Sequence, residues 1–182
     1  MTAAVMAARP TLGYQVIPDR TGRPVGVRSM PRGGHLGDET PLAAIAGRRL
    51  VPGLAVVLGA QVPPAASPGA AALAVAGICV VVTVTDGNDA VVALWVGEHL
   101  LDPAVDGPVT LTGGGAVSVT FPTDPADRVP QVQWLASTLG GLEAGTVVLT
   151  AARTAGLALS AAPGPWEAGF AGAGTLSVRV LP

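Results

Sequence analysis

Val132–Leu181 reads VQWLASTLGGLEAGTVVLTAARTAGLALSAAPGPWEAGFAGAGTLSVRVL, and the order of its parts decides the fold. Val132, Leu135, Ala136 and Leu139 recur at helical spacing, which predicts a helix over Gln131–Leu139. Gly140-Gly141 ends it, because glycine takes the left-handed backbone that closes a helix at little steric cost. Val147-Val148-Leu149-Thr150 is β-branched and apolar and predicts a strand. A Gly/Pro-rich crossing follows, and a last strand closes the stretch.

The same strand chemistry runs through the rest of the chain. Ile78–Thr85 (ICVVVTVT) is continuously apolar, so a strand covered on both faces is expected. Asp86-Gly87-Asn88-Asp89 is a turn, and Ala90–Val96 returns as a strand, making a hairpin. Thr11–Ile17 and Leu50–Leu58 also read as strands; Pro52-Gly53 predicts a bulge or an edge in the second. Val109–Thr112 and Ala116–Phe121 flank three glycines, which lack the lysine a phosphate loop requires. Arg20–Gly37, with Arg20, Arg23, Arg28 and Arg32 among Gly and Pro, reads as a loop whose arginines suit an anion. Asp38-Glu39-Thr40 before Pro41–Ala46 reads as a capped short helix, and Ala70–Gly77 as the start of a helical turn. Residues 1–10 are expected to form a flexible arm. Together these predict one mainly-β domain over residues 1–182, a roll or sandwich with a few short helices.

Composition removes several function classes. The net charge is -2, which gives no electrostatic basis for binding nucleic acid or an anionic membrane. All ten basic residues are arginine, as a GC-rich genome would favour. Apolar residues make up 49% and aromatics 3%, so Val, Leu and Ala must build the core. The single cysteine, Cys79, excludes an internal disulfide, and its Val/Ile surroundings predict a buried, inert thiol. The longest apolar run, Gly69–Val84, is shorter than the ~20 residues a membrane helix needs. The start, MTAAVMAARP, does not read as a signal peptide. A cytoplasmic protein is expected.

Several segments resemble the 2-keto-4-pentenoate hydratase / 4-oxalocrotonate decarboxylase family, of the fumarylacetoacetate hydrolase-like fold. Trp134-Leu135-Ala136, Leu142-Glu143-Ala144-Gly145, Val147-Val148-Leu149-Thr150 and Gly172–Arg179 follow the family's C-terminal order and spacing. Thr146 stands where the family has Asp, and Ala151 where it has Gly. Upstream, Leu12-Gly13-Tyr14-Gln15-Val16 is similar to the strand with the family's active-site lysine, and Gln15 takes that place. Gly37–Leu42 is similar to the segment with an active-site aspartate, matched by Asp38. The family's metal-binding glutamates correspond to Val51, Gly53 and Val81. Its Gly-His-Pro corresponds to Arg128-Val129-Pro130, and Asn88 matches a family Asn. The chain is also expected to lack the family's N-terminal helical part and a segment after the second metal strand.

The resemblance implies a metal that polarises a 2-keto acid, but valine and glycine cannot supply the carboxylate oxygens a hard divalent cation requires. The expectation is therefore a repurposed, shortened hydratase-like fold that uses no metal or other cofactor. It would act on a small apolar or unsaturated molecule in a cyclase-, isomerase- or lyase-type step of secondary-metabolite biosynthesis. Asp38, Arg153 and Gln15 are the expected catalytic residues; Asn88, His35 and Trp95 are expected to bind substrate. His35 lies beside two acids and can titrate near neutrality. The expected partner is a small-molecule substrate, with assembly as a homodimer or hetero-oligomer. The alternatives are a non-catalytic partner subunit of a hydratase or decarboxylase, and a binding domain unrelated to the family.

Overall fold

β-branched runs separated by Gly, Pro and Asp turns make most of this chain strand. The computed structural model describes residues 11–19, 21, 23–31, 35–36, 42–43, 47–88, 90–113, 117–121, 124–150, 159–160, 163–170 and 174–181. The strands are β1 (Thr11–Pro18), β2 (Pro24–Pro31), β3 (His35–Leu36), β4 (Leu42–Ala43), β5 (Arg49–Leu58), β6 (Val75–Thr85), β7 (Val91–Val96), β8 (Val109–Gly113) and β9 (Val117–Phe121). After the helices come β10 (Val147–Leu149), β11 (Leu159–Ser160), β12 (Gly164–Phe170) and β13 (Gly174–Leu181). Helix α1 (Pro68–Leu73) precedes β6, and α2 (Arg128–Leu139) precedes β10.

Two sheets result. The larger has eight strands in the order β2-β1-β10-β5-β6-β7-β3, with β11 also on β5. The smaller has the order β4-β13-β12-β8-β9. Their facing sides share one core, to which the larger sheet gives Val56, Val82 and Trp95, and the smaller Leu111, Trp166 and Phe170. Val132, Leu135 and Ala136 of α2 complete it. Each such side chain contributes about 1.5–3 kcal/mol when fully buried, so the aromatic-poor composition suffices.

Local chemistry sets the helix ends. The Ser67 hydroxyl accepts from the Ala70 N–H at 3.2 Å, and Pro68 occupies the first turn. Helix α2 ends at Gly140 in the left-handed conformation, φ 79°. At Gly13, paired in parallel with Val147, a Cβ would lie 1.8 Å from the Val147 carbonyl oxygen. No side chain fits between β1 and β10 there.

The structure changes several expectations. Arg20–Gly37 is not wholly loop, because β2 pairs along β1 and β3 pairs with β7. Leu42-Ala43, expected in a helix, pairs with β13 instead, where the sheet edge supplies hydrogen bonds a short helix would lack. The rest of that helix lies outside the described residues, as do residues 1–10. Pro52-Gly53 causes no bulge: Pro52 pairs with Val82, and β5 shifts register at Val57/Leu58. The Gly/Pro-rich crossing contains β12, whose Trp166, Ala168 and Phe170 alternate into the core. Helix α2 starts at Arg128, three residues early, behind a 3-10 turn over Pro125–Asp127. Leu139, expected on its apolar face, is 40% exposed.

Candidate functional site

Side chains alternate across a strand, so the larger sheet has two faces with different uses. One carries Val16, Val56, Val82 and Trp95 toward the smaller sheet. The other carries a second apolar cluster, Met30, Ala55, Cys79, Val81, Leu94, Val147 and Leu149. Strand β2 lies at one end of the strand order, and β7 and β3 at the other. Even so, Arg28 on β2 donates a 3.1 Å hydrogen bond to the Asn88 carbonyl, just before β7. The sheet curls, and the second face is its concave side.

A cavity of about 340 Å³ opens where the two ends meet. Gln15, Val27, Arg28, Ser29, Met30, Ala90 and Val91 line it. Gln15 faces Arg28 across the β1–β2 ladder and Leu149 across β1–β10. Directly paired residues share a face, so the amide and the guanidinium enter the cavity together. The Gln15 Oε1 is buried and has no hydrogen-bond partner among the described residues. The volume falls at the small end of ligand pockets, which run from about 300 to 1,000 Å³.

The far rim is organised by Asp86. Its carboxylate accepts from the N–H groups of Asn88, at 2.8 Å, and Ala90, at 3.0 Å. These two bonds, and then the charges of Arg28 and Arg48, hold its carboxyl below the usual carboxylate range. Asn88 thus contributes its backbone to the rim, holding Arg28 in place.

The expected site residues separate on the structure. Gln15 lines the cavity, and Asn88 stands at its rim. His35 sits in β3 against Leu94 of β7, with its side chain outside the described residues. Asp38 and Arg153 lie outside the described residues altogether. Trp95 is corrected to a core position: it is fully buried on the opposite face of the sheet, packed toward the smaller sheet. Arg28 was expected on an anion-contacting loop rather than on a strand, and Ser29 and Met30 were not expected in the wall, because Gly and Pro masked the strand; the Val25-x-Val27 alternation was the available signal. Cys79 is buried and its thiol is pushed up to about 11 by burial, so it is unreactive at neutral pH. His99 is exposed on a loop.

Val51, Gly53 and Val81 do lie on the concave face: Gly53 pairs with Val81, and Val51 with Thr83. Three positions on one wall could surround a cation, but their side chains provide only carbon and hydrogen. Among the described residues, no three of His, Cys, Asp and Glu gather. The side chains at these three positions therefore do not fit a hard divalent cation, which takes oxygen ligands.

The curled sheet backed by a smaller one defines the fumarylacetoacetate hydrolase-like fold. The chain is similar to 4-oxalocrotonate decarboxylase from Pseudomonas putida G7, complexed with magnesium and adipate, at 18% identity and a TM-score of 0.75, over 94% of this chain and 78% of that one. It is similar to 2-hydroxyhepta-2,4-diene-1,7-dioate isomerase from Mycobacterium marinum at 21% identity and a TM-score of 0.73, over 95% and 76%. It is also similar to maleylpyruvate hydrolase from Sphingobium sp. SYK-6, in complex with manganese(II) and pyruvate, at 18% identity and a TM-score of 0.69, over 93% and 69%. No protein-family model matches the sequence, and no curated protein matches it. The likeness establishes the fold. Among the described residues, no helix is long and apolar enough to cross a membrane.

Proposed function

We propose that this chain is a metal-independent catalyst on the fumarylacetoacetate hydrolase-like fold. It isomerises or cyclises a small, largely apolar, unsaturated molecule, in a setting of secondary-metabolite biosynthesis. The observation that carries this is the cavity, in which the Gln15 amide oxygen, without a partner among the described residues, and the Arg28 guanidinium stand beside Met30 and Val91, with Ser29 also on the wall. A step that only rearranges bonds needs a shaped site and placed hydrogen bonds rather than a strong nucleophile. Gln15 and Arg28 supply an acceptor and a donor, and Met30 and Val91 hold the hydrocarbon body. The similar isomerase shows that the fold accommodates bond rearrangement; here Val51, Gly53 and Val81 replace a ligand set with apolar wall.

The test uses an extract of the source strain lacking this gene, incubated with the purified chain and excess chelator. One compound should disappear and one of identical mass should form, because an isomerisation or cyclisation of this kind leaves the molecular formula unchanged. Gln15→Ala should slow the conversion by roughly tenfold or more. Absence of an isobaric conversion, or its loss on chelation, defeats the proposal. The same loss of ligands fits a second reading, a non-catalytic subunit of a hydratase or decarboxylase. Conversion that needs a second, co-purifying protein would favour it.

A further inference from the structure

We propose that the Gln15 cavity selects a neutral molecule bearing a hydrogen-bond donor beside an acceptor on an apolar body, and rejects a carboxylate of the same size. This rests on the cavity being the binding site, as above, and not on any turnover there.

The polar groups of the wall dictate the choice. Gln15 Oε1 is an acceptor, buried and without a partner among the described residues. Leaving such an atom unmet costs free energy that a ligand N–H or O–H recovers. A carboxylate carries no donor, so it would set its own lone pairs against that oxygen. Arg28 is the one cation lining the cavity among the described residues. Its guanidinium already donates to the Asn88 carbonyl, and Asp86 beside it offsets its charge. The guanidinium has five N–H donors, which leaves it able to bond a neutral carbonyl. The demand is therefore one donor toward Gln15 and one acceptor toward Arg28.

A second unmet group lies in the same region. Thr85 Oγ1 is also buried without a partner among the described residues, and Thr85 is the register partner of the lining residue Val91. It adds no charge. Met30, Ala90 and Val91 offer carbon, Ser29 also lines the space, and Val27, paired with Val16, turns its side chain toward the core. At about 340 Å³ the space suits one ring or a short chain.

The probes are sorbamide, sorbyl alcohol and sorbate, which share one diene body and differ in the head group. Each is titrated into the full chain at neutral pH, following amide shifts of β1, β2 and β7 by NMR. Sorbamide should bind at least about tenfold tighter than sorbate, with the alcohol between them. Gln15→Lys should turn the preference toward sorbate. Gln15→Met, close in size, should erase the amide's advantage if the lysine variant fails to fold. Sorbate binding as well as sorbamide, none of the three binding, or an unchanged order in both variants would overturn the proposal. The titration has no chemical step, so a failed conversion in the extract leaves this result standing.

Discussion

The Arg28 guanidinium donates a 3.1 Å hydrogen bond to the Asn88 carbonyl, joining groups 60 residues apart in the chain. It links the first strand of the larger sheet to the turn that precedes β7, near the other end of the strand order. One face of the sheet becomes concave, and the cavity follows from that closure. Asp86 stiffens the acceptor side by taking two backbone N–H groups of the turn.

Arg28→Met should therefore loosen the closure without unfolding the sheet. The bond is exposed, so the loss should be no more than about 1 kcal/mol, read as a lower urea midpoint at unchanged slope. Amides of β2 and of residues 86–91 should exchange faster while those of β12 and β13 do not. Uniform acceleration across both sheets would contradict a local latch.

Gly13→Ala should be far more damaging. Its Cβ would meet the Val147 carbonyl oxygen at 1.8 Å, a backbone atom that cannot rotate away. Strands β1 and β10 would have to separate, at a cost of about 3 kcal/mol or more. Urea unfolding checks the stability, and the ligand titration checks whether Gln15, two residues on, also moves.

Arg128→Met should destabilise without touching the cavity. Arg128 is 3% exposed and donates to the carbonyls of Pro103 and Val105, the latter at 2.8 Å. Burial lowers its pKa, while the charges of Asp106 and Asp124 support the cation. Losing the guanidinium leaves two carbonyls unmet and should cost about 3 kcal/mol. Arg128→Lys should recover only part, because an ammonium lacks the planar fork. Thermal melts of the three chains give the order.

Cys79 predicts an alkaline weakness. Burial pushes its thiol from 9.0 to about 11, so the fold keeps the proton that the unfolded chain releases first. Its contribution is fully present below the unfolded value and is lost as pH rises from about 9 toward 11. Cys79→Ala should flatten the urea midpoint over that window. The native thiol should resist alkylation at neutral pH until urea exposes it.

What the sequence alone determined was local chemistry. The runs at 78–85, 90–96 and 147–150 carry enough β-branched residues to name themselves as strands, and Gly140-Gly141 marks a helix end. It also determined which side-chain donors are absent: the side chains of Val51, Gly53 and Val81 carry no oxygen in any fold, because side-chain chemistry does not depend on tertiary structure. Gln15 was legible as a site candidate through its place in a resembling strand. The structure decided what depends on pairing and curvature. Strand β2 looked like loop because Gly, Pro and Arg hide its alternation, and it exists because β1 offers a free edge. Trp95 fell on the core side because register, which no single strand encodes, fixes the face of each side chain. The cavity wall of Gln15, Arg28 and Val91 exists only where the curled sheet brings its two ends together, a contact between residues far apart in the chain.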